Sequence, residues 1–146
     1  MRRILLIIIG LSSLTVAQTP RFTKVNGVVI DSKTTLEWQD DYSDNGGDIK
    51  SATWTDAIDY CEALSLNGKD DWRLPNRNEL LSIVDYGTYN PAISSVFEKS
   101  TSYYYWSSTT SAEETNYKYF VDFYDGETYD LDKSVNANVR CVRAGQ

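Results

Sequence analysis

The chain has 146 residues, with 14 basic and 21 acidic side chains, a net charge of −7 and no histidine. That length suits one domain with a buried core. The acidic balance argues against nucleic acid as a partner, and the missing histidine excludes Ser–His–Asp and Cys–His catalysis and His-ligated zinc.

Met1-Arg2-Arg3 precedes an apolar run over residues 4–11, and the small-residue site Thr15-Val16-Ala17 follows. This is the pattern of a secretory signal peptide over residues 1–17, cleaved after Ala17. The apolar run is short for a membrane span, so no transmembrane segment is expected after cleavage. The alternative is an uncleaved anchor. Cleavage leaves residues 18–146 as a single domain and removes Arg2 and Arg3, taking the charge from −7 to −9. The expected location is the periplasm, the cell surface or the medium. Cys61 and Cys141 are then an even pair in an oxidising compartment, which argues for one disulfide between a helix and the last strand.

Residues 22–30, split by Asn26-Gly27, read as a hairpin or a broken strand. A turn at Asp31-Ser32-Lys33-Thr34-Thr35 leads to a strand, Leu36-Glu37-Trp38-Gln39. Residues 40–50 form an acidic loop with Asp40, Asp41, Asp44 and Asp48 around Asn45-Gly46-Gly47. Closely spaced oxygen ligands make these four a candidate calcium set, although the spacing is not that of an EF-hand. A solvated loop is the other reading.

Thr53 or Thr55 caps the first helix, whose inner side holds Ala57, Ile58, Cys61 and Leu64, and Asn67-Gly68 ends it. Residues 70–75 then crowd two acids, a Trp, an Arg and a Pro together. Pro75 favours an extended Trp72-Arg73-Leu74 arm. Asn76 and Glu79 are spaced as a capping box for a second helix running to about Asp85. Arg73 and Glu79 face each other across Pro75. Trp72, Arg73, Pro75 and Glu79 therefore read as a structural corner.

Residues 86–116 are a long, irregular loop region, within which Tyr103-Tyr104-Tyr105-Trp106 starts a strand. Along residues 117–124 Tyr119, Val121 and Phe123 point one way, and Lys118, Phe120, Asp122 and Tyr124 the other. Asp125-Gly126 turns the chain into a return strand. Residues 137–143 read as one final strand with Val139 and Cys141 facing in. Two helices segregated from an antiparallel sheet make an α+β domain.

Gly68, Asp71-Trp72-Arg73-Leu74-Pro75 and Glu79-Leu80 resemble the central signature of the bacterial DUF1566 family, the Lcl C-terminal domain. Asp31, Thr34, Leu36 and Trp38 resemble its opening motif. Tyr105-Trp106-Ser107-Ser108 and Val139-Arg140-Cys141-Val142-Arg143 resemble two further segments, in the same order. The resemblance implies a C-type lectin-like fold, with Cys61 and Cys141 matching the disulfide between first helix and last strand; Trp106, like Trp38, Trp54 and Trp72, reads as core on its own account. It also implies an extracellular binding or adhesion module. The EPN, QPD and WND segments of calcium-dependent lectins are absent, so no sugar site is carried over.

Eleven Tyr and four Trp are the richest functional inventory, because these rings stack on ligands and carry a polar tip. The candidate ligand-binding residues are Tyr86, Tyr89, Tyr103 and Tyr104 in the loop region, and Phe120, Tyr124 and Tyr129 on the outer hairpin face. Core packing is the competing reading for the loop tyrosines. The expectation is a secreted or cell-surface, non-catalytic binding or adhesion module that recognises a glycan or protein ligand through its long loop. It needs no cofactor beyond calcium in the acidic loop. One alternative is a self-associating surface or filament subunit, hence a homo-oligomer. Another is a glycan hydrolase using a carboxylate pair, the catalytic chemistry best suited to this composition.

Overall fold

The computed structural model describes residues 16–145. Residues 1–15 of the expected signal peptide lie outside the described residues. Nine strands and two helices follow: β1 (Phe22–Val25), β2 (Val28–Asp31), β3 (Leu36–Gln39), β4 (Ser51–Ala52), α1 (Trp54–Ala63), α2 (Arg77–Ser82), β5 (Tyr104–Thr110), β6 (Tyr117–Asp122), β7 (Glu127–Asp132), β8 (Ala137–Asn138) and β9 (Val142–Ala144). They form a small α+β domain with two sheets, in the orders β1-β2-β3-β9 and β4-β8-β5-β6-β7. Every pairing is antiparallel except β5 with β8. Among the described residues no helix is long and apolar enough to cross a membrane.

Local chemistry explains most elements. Asn26 and Gly27 both take positive φ, 49° and 76°, which is the two-residue turn that matches the twist of β1 and β2. A side chain at Gly27 would put its Cβ 2.4 Å from Asp41 Cβ, so the position needs glycine twice over. Thr53 caps α1, accepting from the Asp56 N–H. The helix stops at Ala63, earlier than the Asn67-Gly68 signal suggests. Those two residues, at φ 53° and 70°, instead turn the chain tightly between Leu66 and Lys69.

The corner at residues 72–79 joins the two sheets. Arg73 exchanges both backbone hydrogen bonds with Val142 of β9 at 2.9 Å, and the Pro75 carbonyl accepts from Ser108 of β5 at 2.7 Å. Trp72 and Leu74 point inward and are buried. The capping box is complete. Asn76 accepts from the Glu79 N–H at 2.9 Å, and Glu79 Oε1 accepts from the Asn76 N–H at 2.8 Å. The Arg73 guanidinium grips the same carboxylate at 2.8 and 2.7 Å.

Glu79→Ala removes cap and ion pair together and should cost about 1–2 kcal/mol, most of it from the cap because Arg73 is half exposed. Urea unfolding checks it. An acid limb is expected as well. Burial by itself would raise the Asp31 and Glu79 carboxyls. Hydrogen bonds from Arg21 to Asp31, and from Arg73 to Glu79, outweigh it and hold both below their ordinary 3.8 and 4.5. Depressed carboxyls stabilise the fold above those ordinary values, and that contribution disappears as pH falls through the depressed ones. The melting temperature should therefore drop as pH falls below about 4, and weakly or not at all between pH 5 and 7.

The core has two lobes. One, under α1, holds Cys61, Trp72, Leu74, Trp106, Phe120, Val139 and Cys141. The other holds Trp38, Leu80, Ile83, Phe97, Tyr105, Val121, Phe123 and Val142. The Cys61–Cys141 disulfide is present, with Cα atoms 5.4 Å apart and a sequence separation of 80. It ties α1 to the segment between β8 and β9.

Two expectations are corrected here. Residues 137–143 are not one strand. β8 pairs with β4 and β5 in one sheet, and β9 pairs with β3 in the other. The break falls where Arg140 and Cys141 turn inward, both fully buried. Second, β6 does not show one face to solvent. Lys118 and Phe120 are buried, because Trp54 covers one face and α2 packs on the other.

Candidate functional site

Arg140, a fully buried charge, sets the geometry of the candidate site. Its guanidinium lies over the Phe97 ring at 4.9 Å. It donates to the Gln39 carbonyl at 2.6 Å, Asp40 Oδ1 at 3.1 Å, the Lys99 carbonyl at 2.5 Å and Ser100 Oγ at 3.1 Å. Asp40 completes the unit. Its carboxylate accepts from the Glu98 and Lys99 N–H groups at 3.0 Å each and pairs with Lys24 at 2.7 Å. One buried ion pair thus pins residues 98–100 in place, 58 to 60 residues from Asp40 in sequence.

That arrangement corrects the calcium reading. Asp40 is engaged with Arg140, Lys24 and two backbone N–H groups. Asp41 accepts from the Ser43 N–H at 2.7 Å, and Asp44 accepts from the Tyr60 hydroxyl at 3.3 Å. Among the described residues no three acidic or cysteine side chains gather closely enough to hold a metal ion. Asp40, Asp41 and Asp44 brace their loop separately, each with its own partner, and Asp48 faces an open groove.

The groove, of about 580 Å³, runs between residues 47–49 and the pinned segment 98–103. Lys99 Nζ donates across it to the Gly47 carbonyl at 3.0 Å. Asn138, at the end of β8, donates to Thr101 Oγ1 at 2.8 Å. Ser100, Thr101 and Ser102 line one side, and Tyr103 stands at the rim, half exposed. Of these, only Tyr103 and Asp48 are expected site residues. The others carry no signature beyond a short run of hydroxyls.

From Tyr103 an aromatic ladder crosses the sheet. Tyr103 stacks on Tyr104 at 4.8 Å and 23°, Tyr104 meets Phe120 at 4.5 Å, and Phe120 meets Tyr129 at 5.9 Å. Tyr103 and Tyr129 are exposed, and Tyr104 is half-buried. Phe120 is only 4% exposed, which corrects its assignment as a ligand contact and makes it the support under its neighbours. Tyr86, Tyr89 and Tyr124 form a separate group at the β6–β7 turn. Tyr89 meets Tyr124 edge-on at 6.4 Å, and all three are exposed. The turn is four residues long, and Gly126 has φ 86° with Val84 packed where a Cβ would be. The expected aromatic residues thus fall into two patches, one beside the groove of about 580 Å³ and one with Tyr86 on a smaller cleft of about 330 Å³.

The sequence pattern of the Lcl C-terminal domain matches residues 27–143. The chain belongs to the Lcl C-terminal domain family. No curated protein matches it at a significant level. The matched span of this Lcl C-terminal domain contains the whole groove, the ladder, the disulfide and the Asp40–Arg140 pair. Its four signature segments supply scaffold: Trp72 and Trp106 fill one core lobe, Glu79 caps α2, and Arg140 fixes the groove wall. Ser107 Oγ donates to the Tyr119 carbonyl at 2.7 Å, so it too serves the backbone.

Proposed function

We propose that this Lcl C-terminal domain is a secreted or cell-surface, non-catalytic binding module with a C-type lectin-like arrangement, and that its ligand is an extracellular glycan held in the groove between residues 47–49 and 98–103. The observation that carries the reading is the junction of a polar, hydroxyl-lined groove with a stacked tyrosine at its rim. Sugar recognition combines those two elements, hydrogen bonds to hydroxyls and a ring face for the sugar's C–H groups. The groove lies on rigid supports, a buried ion pair and β8, which limits the entropy lost on binding. A disulfide that closes 80 residues of chain suits an oxidising compartment.

The test is a glycan array on the purified protein, run with calcium and with EDTA. Binding is expected in both, because Asp40, Asp41 and Asp44 have separate partners and do not converge with Asp48 on one point. Loss of binding in EDTA would restore a calcium role. A blank array, with capture of a protein ligand, would replace the glycan reading. Self-association would act through Tyr86, Tyr89 and Tyr124. Sedimentation as a monomer at micromolar concentration removes that alternative.

A further inference from the structure

We propose that the groove selects a non-acidic, hydroxyl-rich glycan, with one sugar ring stacked on the open face of Tyr103, and that it rejects sulfated and carboxylated glycans. This rests on the binding-module reading above and names the ligand class for that same groove.

The first support is that two of the three cations around the groove are paired with carboxylates, and the third is tied to a backbone carbonyl. Lys99 Nζ is held by the Gly47 carbonyl at 3.0 Å. Lys24 lies between Asp40 at 2.7 Å and Glu98 at 2.8 Å. Arg140 is buried and directed at Asp40 and at protein oxygens. A sulfate entering here meets one ammonium among the described lining residues, that of Lys99, which already donates to the Gly47 carbonyl. It also meets the carboxylates of Asp48 and Glu98, on a protein whose net charge is −7. Recognition of polyanions requires cations free to replace their counterions.

The second support is the polarity of the remaining lining groups. Asn138 uses its Nδ2 on Thr101, which leaves Oδ1 as an acceptor. Asp48 contributes only acceptors. Ser102 and the Tyr103 phenol can both donate and accept. An acceptor-rich set of this kind matches ligand hydroxyls, which bring the donors.

The third is the ring. Tyr103 is 50% exposed, and its stacking on Tyr104 at 23° fixes one face and leaves the other available. A pre-positioned aromatic face adds affinity without the entropy of ordering it. The groove volume, about 580 Å³, falls in the range of small-ligand clefts, roughly 300–1,000 Å³.

The experiment measures dissociation constants for two probe sets on the full protein as secreted. One is neutral: manno-, cello- and chito-oligosaccharides. The other is polyanionic: heparin and chondroitin sulfate. Binding is expected from the neutral set, with affinity changing less than about twofold between low and high salt because no counterions are released. Tyr103→Ala should weaken it about tenfold or more, and Tyr103→Phe should keep most of it. Asp48→Lys should admit heparin with a salt-dependent affinity that the unmodified protein lacks. Preference of the unmodified protein for heparin overturns the proposal. Neutral binding untouched by Tyr103→Ala also overturns it, while leaving the binding-module reading intact. No binding to either set, by protein with an unaltered melting temperature, overturns both.

Discussion

Arg140→Ala should destabilise the domain by about 3–5 kcal/mol, the range found when one partner of a buried ion pair is removed. The substitution leaves Asp40 buried at 2% exposure with Lys24 as its remaining cation. It also unpairs the Gln39 and Lys99 carbonyls and opens a space beside Phe97 and Tyr105. Against a typical total of 5–15 kcal/mol, that loss leaves a marginal fold. Urea unfolding of the single variant measures it. The double variant Asp40→Asn/Arg140→Met should lose less than the two single changes added together, because it removes the stranded charge as well as its partner. A single-variant loss below about 1 kcal/mol would mean that the pair does not hold residues 98–100 in place.

Removal of the disulfide ranks beside it. Cys61→Ser/Cys141→Ser frees a loop spanning 80 residues, worth about 4 kcal/mol on the chain-entropy account. The melting temperature should fall on the order of ten degrees or more. Both cysteines are fully buried. Reductant alone should therefore leave the native protein unchanged at room temperature, and should act only once denaturant opens the α1 lobe. An unchanged melting temperature in the double serine variant would refute the contribution. Cys141 adjoins Arg140, so this change and Arg140→Ala should couple rather than add.

The local features were the most legible. Asn26-Gly27, the Thr53 cap, the Asn76–Glu79 box and the Arg73–Glu79 pair all depend on residues no more than six apart, and each is present. The disulfide followed from counting cysteines in a chain expected to be exported. The features that escaped depend on distance in sequence. Asp40 looks like any exposed loop acid until its partner, 100 residues away, is placed beside it. The alternation in residues 137–143 fits one strand equally well, since Val139 and Cys141 do face in. Nothing in that pattern signals that Arg140 is buried too, or that the chain changes sheets there. Phe120 escaped because alternation assumes a sheet with one dry face, whereas β6 is covered on both. The groove is built from residues 47–49 and 98–103, and neither piece carries a chemical signature alone. Its aromatic rim was legible, because exposed rings in a loop stand out, whereas three hydroxyls in a row do not.

The placement of β8 and β9 bears on when the protein becomes competent during its synthesis. β8 sits between β4 and β5, and β9 completes the other sheet beside β3. Arg140 and Cys141 lie between these two strands. Both sheets, the cross-link and the groove wall thus wait for one segment, residues 137–144, that emerges after every other element. A chain delivered from its N-terminal end presents every element up to β7 with β4 unjoined to β5 in one sheet and the β3 edge of the other uncovered. The nascent domain stays open, reducible and without a groove until that segment arrives, and then closes in one cooperative event. The groove wall is thereby among the last parts of the domain to be completed.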